Sequence, residues 1–333
     1  MCTVERTIGR RAFMGLVGSL AAWPLTARAQ PAGPPVVGYL SGAQAGIAPH
    51  LLDAIRQGLK DVGFVEGQNL TIEYRYADNQ FDRLPALAAE LVARPVAAIV
   101  ANGNLSALAA KNATSAIPIV FNTAGEPVAV GLVTGLNRPG GNITGFGFFS
   151  GALAAKRLGF LREVVPKVPT VAVLLDRNSP FNASQRRETQ DAARTLGVKL
   201  LLLPAGTERD IDTAFATMEK QKVGALLVSA SPYFTWNRRS QILELAARSA
   251  IPAIYPLQEW VTSGGLMSYG PDLTETYRLV GIYTGKILKG VRPDDLPVEN
   301  SSRFEFAINI ATAKALKLEI SPRLIALADE VVG

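Results

Sequence analysis

From Val36 onward the chain alternates short, β-branched apolar runs with amphipathic stretches, and it does so in two rounds. The first reads VVGYL (36–40), LLDAIRQGLKDVG (51–63), LTIEYRY (70–76), FDRLPALAAELVA (81–93), VAAIVAN (96–102), LSALAAKNAT (105–114), IPIVFNT (117–123) and NITGFGF (142–148). Leu51, Ile55, Leu59 and Val62 recur at helical spacing with Gly63 as a stop, and Leu84, Leu87, Leu91 and Val92 share one helix face. After Ser150 the rhythm restarts with a helical LAAKRLGFLREVV (153–165), the strand TVAVLLD (170–176) and the helix ASQRRETQDAARTLG (183–197). KLLLLPA (199–205), ALLVSAS (225–231), PAIYPL (252–257) and GLMSYG (265–270) follow as strands, with IDTAFATMEKQKV and RRSQILELAARSA as helices between them. A helix over 273–290, a strand over 304–310 and a last helical segment complete the chain. Strands apolar along their whole length belong to sheets covered on both faces, and parallel neighbours need crossovers of about a dozen residues. The pattern predicts an α/β fold of two doubly wound lobes. The length agrees, since 333 residues exceed one compact core and suit two domains of ~150.

The first 29 residues read as a cleaved signal peptide. Arg6, Arg10 and Arg11 precede an apolar stretch from Ala12 to Trp23, and Ala27-Arg28-Ala29 gives a small-x-small cleavage pattern before Gln30. Arg10-Arg11 with Phe13 resembles a twin-arginine export signal, with Met14 where Leu is usual. Pro24 and Arg28 break the run, which argues against a membrane anchor. Cleavage removes Cys2, the only cysteine, which suits an oxidising compartment and leaves no lipid attachment point. It also removes four Arg and one Glu, lowering the formal net charge from +6 to +3. The basicity that would suggest nucleic acid therefore lies largely in the signal, and no nucleic-acid partner is expected. The expected location is the periplasm, free of the membrane.

His50 is the only histidine in the chain. A Ser-His-Asp triad would rest wholly on it, and a zinc site of Cys/His type cannot be assembled. The first strand lacks a Gly-x-Gly-x-x-Gly continuation, Gly285-Lys286 lacks the rest of a phosphate-binding loop, and Asp294-Asp295 stand in a loop with no partner implied. No metal, no cofactor and no catalytic residue is expected.

In doubly wound sheets ligands bind beyond the carboxyl ends of the strands. Here those ends carry Ser41-Gly42, Asn102-Gly103, Asn122-Thr123, Asp176-Arg177-Asn178 and Ser229-Ala230-Ser231. Such residues cap helices, and with exposed N–H groups they also suit a carboxylate. Both rounds carry the pattern, so two facing sets form a cleft. His50 lies at its edge, and Tyr233, Trp236 and Tyr255 are the aromatic candidates to line it, whereas Phe121 and Phe148 read as core.

Several longer runs carry a family resemblance: GQNLTIEYRYADNQFDRLPALAAELV (67–92), IPIVFNTAGEPVAVGLVTGLNRPGGNITG (117–145), AAKRLGFLREVVP (154–166), GGLMSYGPDLTETYR (264–278) and FEFAINIATAKALKLEISPRLIALADEV (304–331). Asn137-Arg138-Pro139-Gly140-Gly141-Asn142 is the most specific block. The chain resembles the periplasmic substrate-binding proteins of ABC transporters of tryptophan/tyrosine-binding type. That resemblance implies a type I periplasmic binding fold, in which two Rossmann-like lobes joined by three crossing strands trap a ligand. It implies a first lobe of 36–146 plus 271–298 and a second of 147–270 plus 299–333, in a monomer that meets a membrane permease. Glu126-Pro127-Val128 stands where Asp-Pro-Val is usual, and Arg177-Asn178-Ser179-Pro180 replaces an Asn-Pro-Asn loop, so the cargo need not be shared. Ser41, Gly42, His50, Asn102, Gly103, Asn122, Thr123 and Glu126 are the expected contacts of one lobe. Asn178, Ser231, Tyr233 and Tyr255 are those of the other, and Asp272 is a further expected contact. The expected cargo is a small zwitterion such as an aromatic or apolar amino acid. The alternatives are a ligand-delivering partner of a membrane sensor and an exported enzyme on the same fold.

Overall fold

The β-branched run at Val36 and the Pro-started helix behind it set the first lobe in motion. This computed structural model describes residues 33–124, 126–148, 151–179 and 182–333, so the expected signal at 1–29 lies outside the described residues. The elements run β1 (Val36–Ser41), α1 (Pro49–Asp61), β2 (Thr71–Tyr76), α2 (Leu84–Val92), β3 (Ala98–Asn102), α3 (Asn104–Ala113), β4 (Ile119–Thr123) and β5 (Ile143–Gly147). They continue as α4 (Gly151–Val164), β6 (Thr170–Asp176), α5 (Asn182–Leu196), β7 (Lys199–Ala205), α6 (Glu208–Lys220) and β8 (Ala225–Val228). Then come α7 (Arg239–Arg248), β9 (Ala253–Tyr255), α8 (Gln258–Thr262), β10 (Met267–Pro271), α9 (Leu273–Leu288) and β11 (Glu299–Asn300). The chain closes with β12 (Phe304–Asn309), α10 (Ile310–Ala315), α11 (Pro322–Leu327) and β13 (Glu330–Val332).

Two sheets result, with strand orders β11-β5-β4-β3-β1-β2 and β13-β12-β10-β9-β8-β6-β7. Within each, the first strand of the round has the second on one side and the third on the other. That reversal is a topological switch point, where successive crossovers leave for opposite faces and open a crevice. The switch points fall between β1 and β3, where Ser41 pairs in register with Asn102, and between β6 and β8. All pairs in the first sheet are parallel. In the second, β10 and β12 run antiparallel, a departure from the all-parallel expectation. The reason is topological, since β12 enters from the first lobe and not through a crossover helix.

Alternate strand residues feed opposite faces. Val37, Tyr39, Val100 and Phe146 pack under α1 and α9, while Leu40, Ile99, Phe121 and Ile143 pack under α2 and α3. The second sheet does the same, with Val171, Val173 and Leu227 on one face and Ala172, Leu174 and Leu226 on the other. The chain passes between the sheets three times: after β5, between β10 and α9, and between β11 and β12. Ser301 N donates to Gly147 O (2.8 Å) and Asp272 N to Arg303 O (3.1 Å), so the crossing segments brace one another. Glu299–Asn300 pairs with β5, so the third crossing lies after Asn300 and not at 299. A helix at 258–262, a short turn of π-helical bonding at 233–237 and the edge strand β13 have no counterpart in the sequence reading. No helix among the described residues is long and apolar enough to cross a membrane.

Candidate functional site

At the first switch point the strand ends are tied into one polar network. Asn102 Nδ2 donates to the Tyr39 hydroxyl (2.9 Å) and, at longer range, to Ser41 Oγ (3.3 Å). Its Oδ1 accepts from the Tyr277 hydroxyl at 2.8 Å. Tyr277 comes from α9, which the chain reaches only after passing through the second lobe. Burial pushes the Tyr277 phenol up to about 12, against the opposing pull of the Asn122 and Asn102 amides. It also raises Tyr39. Both stay neutral over the ordinary pH range, Tyr277 as donor to Asn102 and Tyr39 as acceptor from it.

One residue on, Gly103 adopts φ +90, a left-handed conformation that favours glycine. That bend aims its N–H at Asn122 Oδ1 (2.9 Å). Asn104 Oδ1 accepts from Ala124 N (3.2 Å), locking the end of β4 to the start of α3. Two amide donors are left over: Asn104 Nδ2 and Asn122 Nδ2 are buried and lack an acceptor of regular geometry. Buried donors without acceptors cost about 1–3 kcal/mol each, so an arriving oxygen would relieve them. Thr123 is buried at the same strand end, and Gly42 lies under the ring of Phe81.

At the second switch point Ser231 Oγ donates to Asp176 Oδ2 (2.5 Å) and accepts from Phe234 N (3.3 Å). Asp176 Oδ1 accepts from Asn178 N (2.9 Å). Neither Ser231 nor Asp176 has an appreciable exposed surface.

The remaining expected contacts are placed differently. Asn178 is exposed and its Nδ2 donates to Gly206 O (3.2 Å), toward the β7–α6 connection. The Tyr233 hydroxyl accepts from Arg238 Nε (2.9 Å), whose guanidinium also lies over the ring. Tyr255 is in the core, stacked on Trp260 with centroids 4.7 Å apart, because its odd position on β9 points into the face covered by α7 and α8. Asp272 caps α9 through Glu275 N (2.9 Å) and pairs with Arg303 (3.5 Å), so it serves the junction. Glu126 is exposed, and its charge opposes ionisation of Glu188 on α5 of the other lobe. The Glu188 carboxyl is raised first by burial and second by Glu126.

His50, in the first turn of α1, reaches across to the second lobe: its Nε2 lies 3.5 Å from Glu259 Oε1 of α8. Trp236 stands beside it, with ring centroids 6.3 Å apart. Tyr277 and Glu259 were not singled out in the sequence. Two tyrosines on the apolar face of the 273–290 helix, Tyr277 and Tyr283, were the available signal, since a buried phenol needs a polar partner. Among the described residues no group of three or more His, Cys, Asp or Glu could hold a metal ion.

Comparison with known proteins gives a consistent result. A family model described as "ABC transporter substrate binding protein" matches residues 49–332. A tyrosine-binding protein of Clostridioides difficile is 26% identical over 272 residues, which cover 80% of this chain and 78% of that protein. A Streptococcus pneumonia ABC domain in complex with L-Trp superposes with a TM-score of 0.81 at 21% identity, covering 90% of this chain and 100% of that one. A ligand-free, open substrate-binding protein with adhesive properties from Clostridium difficile gives 0.69 at 24% identity, covering 90% and 99%. These two structures share the fold of two α/β lobes.

Proposed function

We propose that this chain, which belongs to the ABC transporter substrate-binding protein family, captures a free amino acid with an aromatic side chain between its lobes. It hands this cargo unchanged to a membrane permease. Members of the family act outside the cytoplasmic membrane, on small-molecule ligands and with an ABC transporter as partner. The finer reading, a periplasmic monomer freed of its signal before Gln30, is part of the proposal.

One observation carries the choice of cargo class. The buried Asn104 amide donor lies unpaired at the strand ends of the first lobe and that of Asn122 has only the Tyr277 phenol beside it, and a carboxylate is a natural acceptor for both. Glu126 of that lobe and Glu188 of the other stand close enough for their charges to oppose, an arrangement suited to an ammonium group. The tyrosine-binding relative and the L-Trp complex support an aromatic side chain between the two. In this reading Ser41, Asn102, Gly103, Asn122 and Thr123 face the carboxylate, with Tyr39 and Tyr277 holding Asn102 in place. A ligand shuts the lobes only by as much as it binds the shut state better.

Titration calorimetry with L-tyrosine, L-tryptophan, L-phenylalanine and L-leucine tests the proposal. At least one aromatic acid should bind with about micromolar affinity, roughly −8 kcal/mol. Silence with all four sinks the amino-acid assignment, and the mass of cargo retained by protein taken from its own cell envelope would name the true class.

A further inference from the structure

We propose that His50 and Glu259, with Trp236 beside them, form a proton-dependent latch between the lobes. The inference rests on the solute-binding reading for its consequence, because it regulates the opening and closing of that same cleft.

The three residues come from three places. His50 belongs to α1 of the first lobe, Glu259 to α8 and Trp236 to the turn before α7 of the second. The His50 Nε2 to Glu259 Oε1 separation is 3.5 Å, and the contact is ionic only while the imidazole carries a proton. The two side chains are 47% and 31% exposed, so the pair is partly withdrawn from water yet open to protons. Trp236 and Leu257 already pack against the apolar cluster under α1 and α9, which gives the lobes a contact independent of pH. The proton adds a second contact on top of it.

The surroundings favour that role. Glu259 has no other ion-pair partner among the described residues. Tyr277 of α9 lies within its field but is neutral at ordinary pH, its phenol being pushed up to about 12 by burial. Glu305 of β12 lies close enough for the two carboxylates to oppose each other, which adds to the negative potential. Asp53, three residues on along α1, is taken by Arg56 at 2.9 Å, and Arg238 next to Trp236 is taken by Glu208 at 3.1 Å. His50 is also the only histidine in the chain, so no second imidazole blurs its response.

The sign follows directly. The arrangement that brings the two side chains together gains an ion pair only while the imidazole carries a proton, so raising the pH removes that gain. The size is that of a half-exposed pair, about a two- to five-fold change in the ratio of shut to open lobes.

Small-angle scattering of the untagged, ligand-free protein at about pH 5.5 and about pH 8 reads this shift on either side of the histidine range. The wild type should be more compact at the lower pH, and His50→Gln and Glu259→Gln should each lose the difference. A flat wild-type profile, or one that His50→Gln leaves intact, overturns the latch. Should either variant fail to fold, salt decides: raising it from about 0.02 M to about 0.5 M must shrink the wild-type difference, and an unchanged difference overturns the proposal. No cargo is present in this experiment. Absence of amino-acid binding in calorimetry would therefore defeat the solute-binding reading alone, and a flat scattering profile would defeat the latch alone.

Discussion

The Tyr277 hydroxyl donates to Asn102 Oδ1 at 2.8 Å, joining residues 175 positions apart. The helix carrying Tyr277 leaves the second sheet and returns to the first, so one phenol reports that the return has docked. Tyr277→Phe removes the donor and leaves the Asn102 carbonyl short of a partner. We expect a loss of about 1 kcal/mol in unfolding free energy by urea denaturation. Cargo affinity should weaken as well, because Asn102 is no longer held at the strand end. An unchanged urea midpoint would mean that the Asn102 carbonyl finds another donor in the variant.

Alkaline stability follows from the buried phenols. Burial raises Tyr39, Tyr255, Tyr277 and Tyr283, and Glu299 adds to the effect on Tyr283. In the unfolded chain these groups ionise near pH 10. Above about that pH the unfolded state binds fewer protons than the folded state, so stability falls as pH rises. For Tyr277 the fall continues to about 12. Denaturant midpoints at about pH 9 and about pH 11, together with phenolate absorbance, check this. Most of the phenolate signal should appear with unfolding and not before it.

Gly58 and Gly281 let α1 and α9 touch backbone to backbone. A Cβ at Gly58 would lie 1.9 Å from Arg278 O, and one at Gly281 would lie 2.1 Å from Ile55 O. Neither backbone can yield without separating the helices. Gly58→Ala is expected to cost about 2–3 kcal/mol by urea denaturation, with a similar loss for Gly281→Ala. The pair should cost less than the sum, since one separation relieves both clashes.

Arg157 is a buried cation whose recorded partners are carbonyls: Nε donates to Tyr269 O (2.6 Å) and an Nη to Pro256 O (3.3 Å). Burial lowers its pKa to about 10, so it stays charged at neutral pH. It ties α4, the first helix after one crossing, to the ends of β9 and β10 before the next. Arg157→Met leaves two carbonyls unpaired and should cost about 2–3 kcal/mol. Arg157→Lys should recover part of this, because an ammonium can still reach one carbonyl. Equal losses in the two variants would show that packing of the side chain, and not its hydrogen bonds, is what matters.

The strands and helices were legible because their signals are local. TVAVLLD and KLLLLPA become β6 and β7 with the same limits, 170–176 and 199–205. Hydrophobic period and glycine stops are properties of neighbouring residues and survive without the rest of the fold. The strand-end residues Ser41, Asn102, Gly103 and Asn122 were legible for a related reason, since switch-point topology alone directs attention to them.

Side-chain direction was not legible. Tyr255 ends a strand as expected, yet its ring turns into the core against Trp260. Asn178 follows β6 as expected, yet its amide is taken by Gly206. A strand end offers two faces and several partners, and the choice depends on what the neighbouring elements leave unfilled.

The sequence by itself therefore determined the alternation, the two rounds and the family to which the chain belongs. Only the tertiary structure decided which polar atoms meet. Tyr277 reaches Asn102, and His50 reaches Glu259, because crossing segments bring helices from distant parts of the chain to one place. Periodicity is set by bonds along the chain, whereas these contacts are set by how two sheets and their crossings fill space, and no local pattern encodes that.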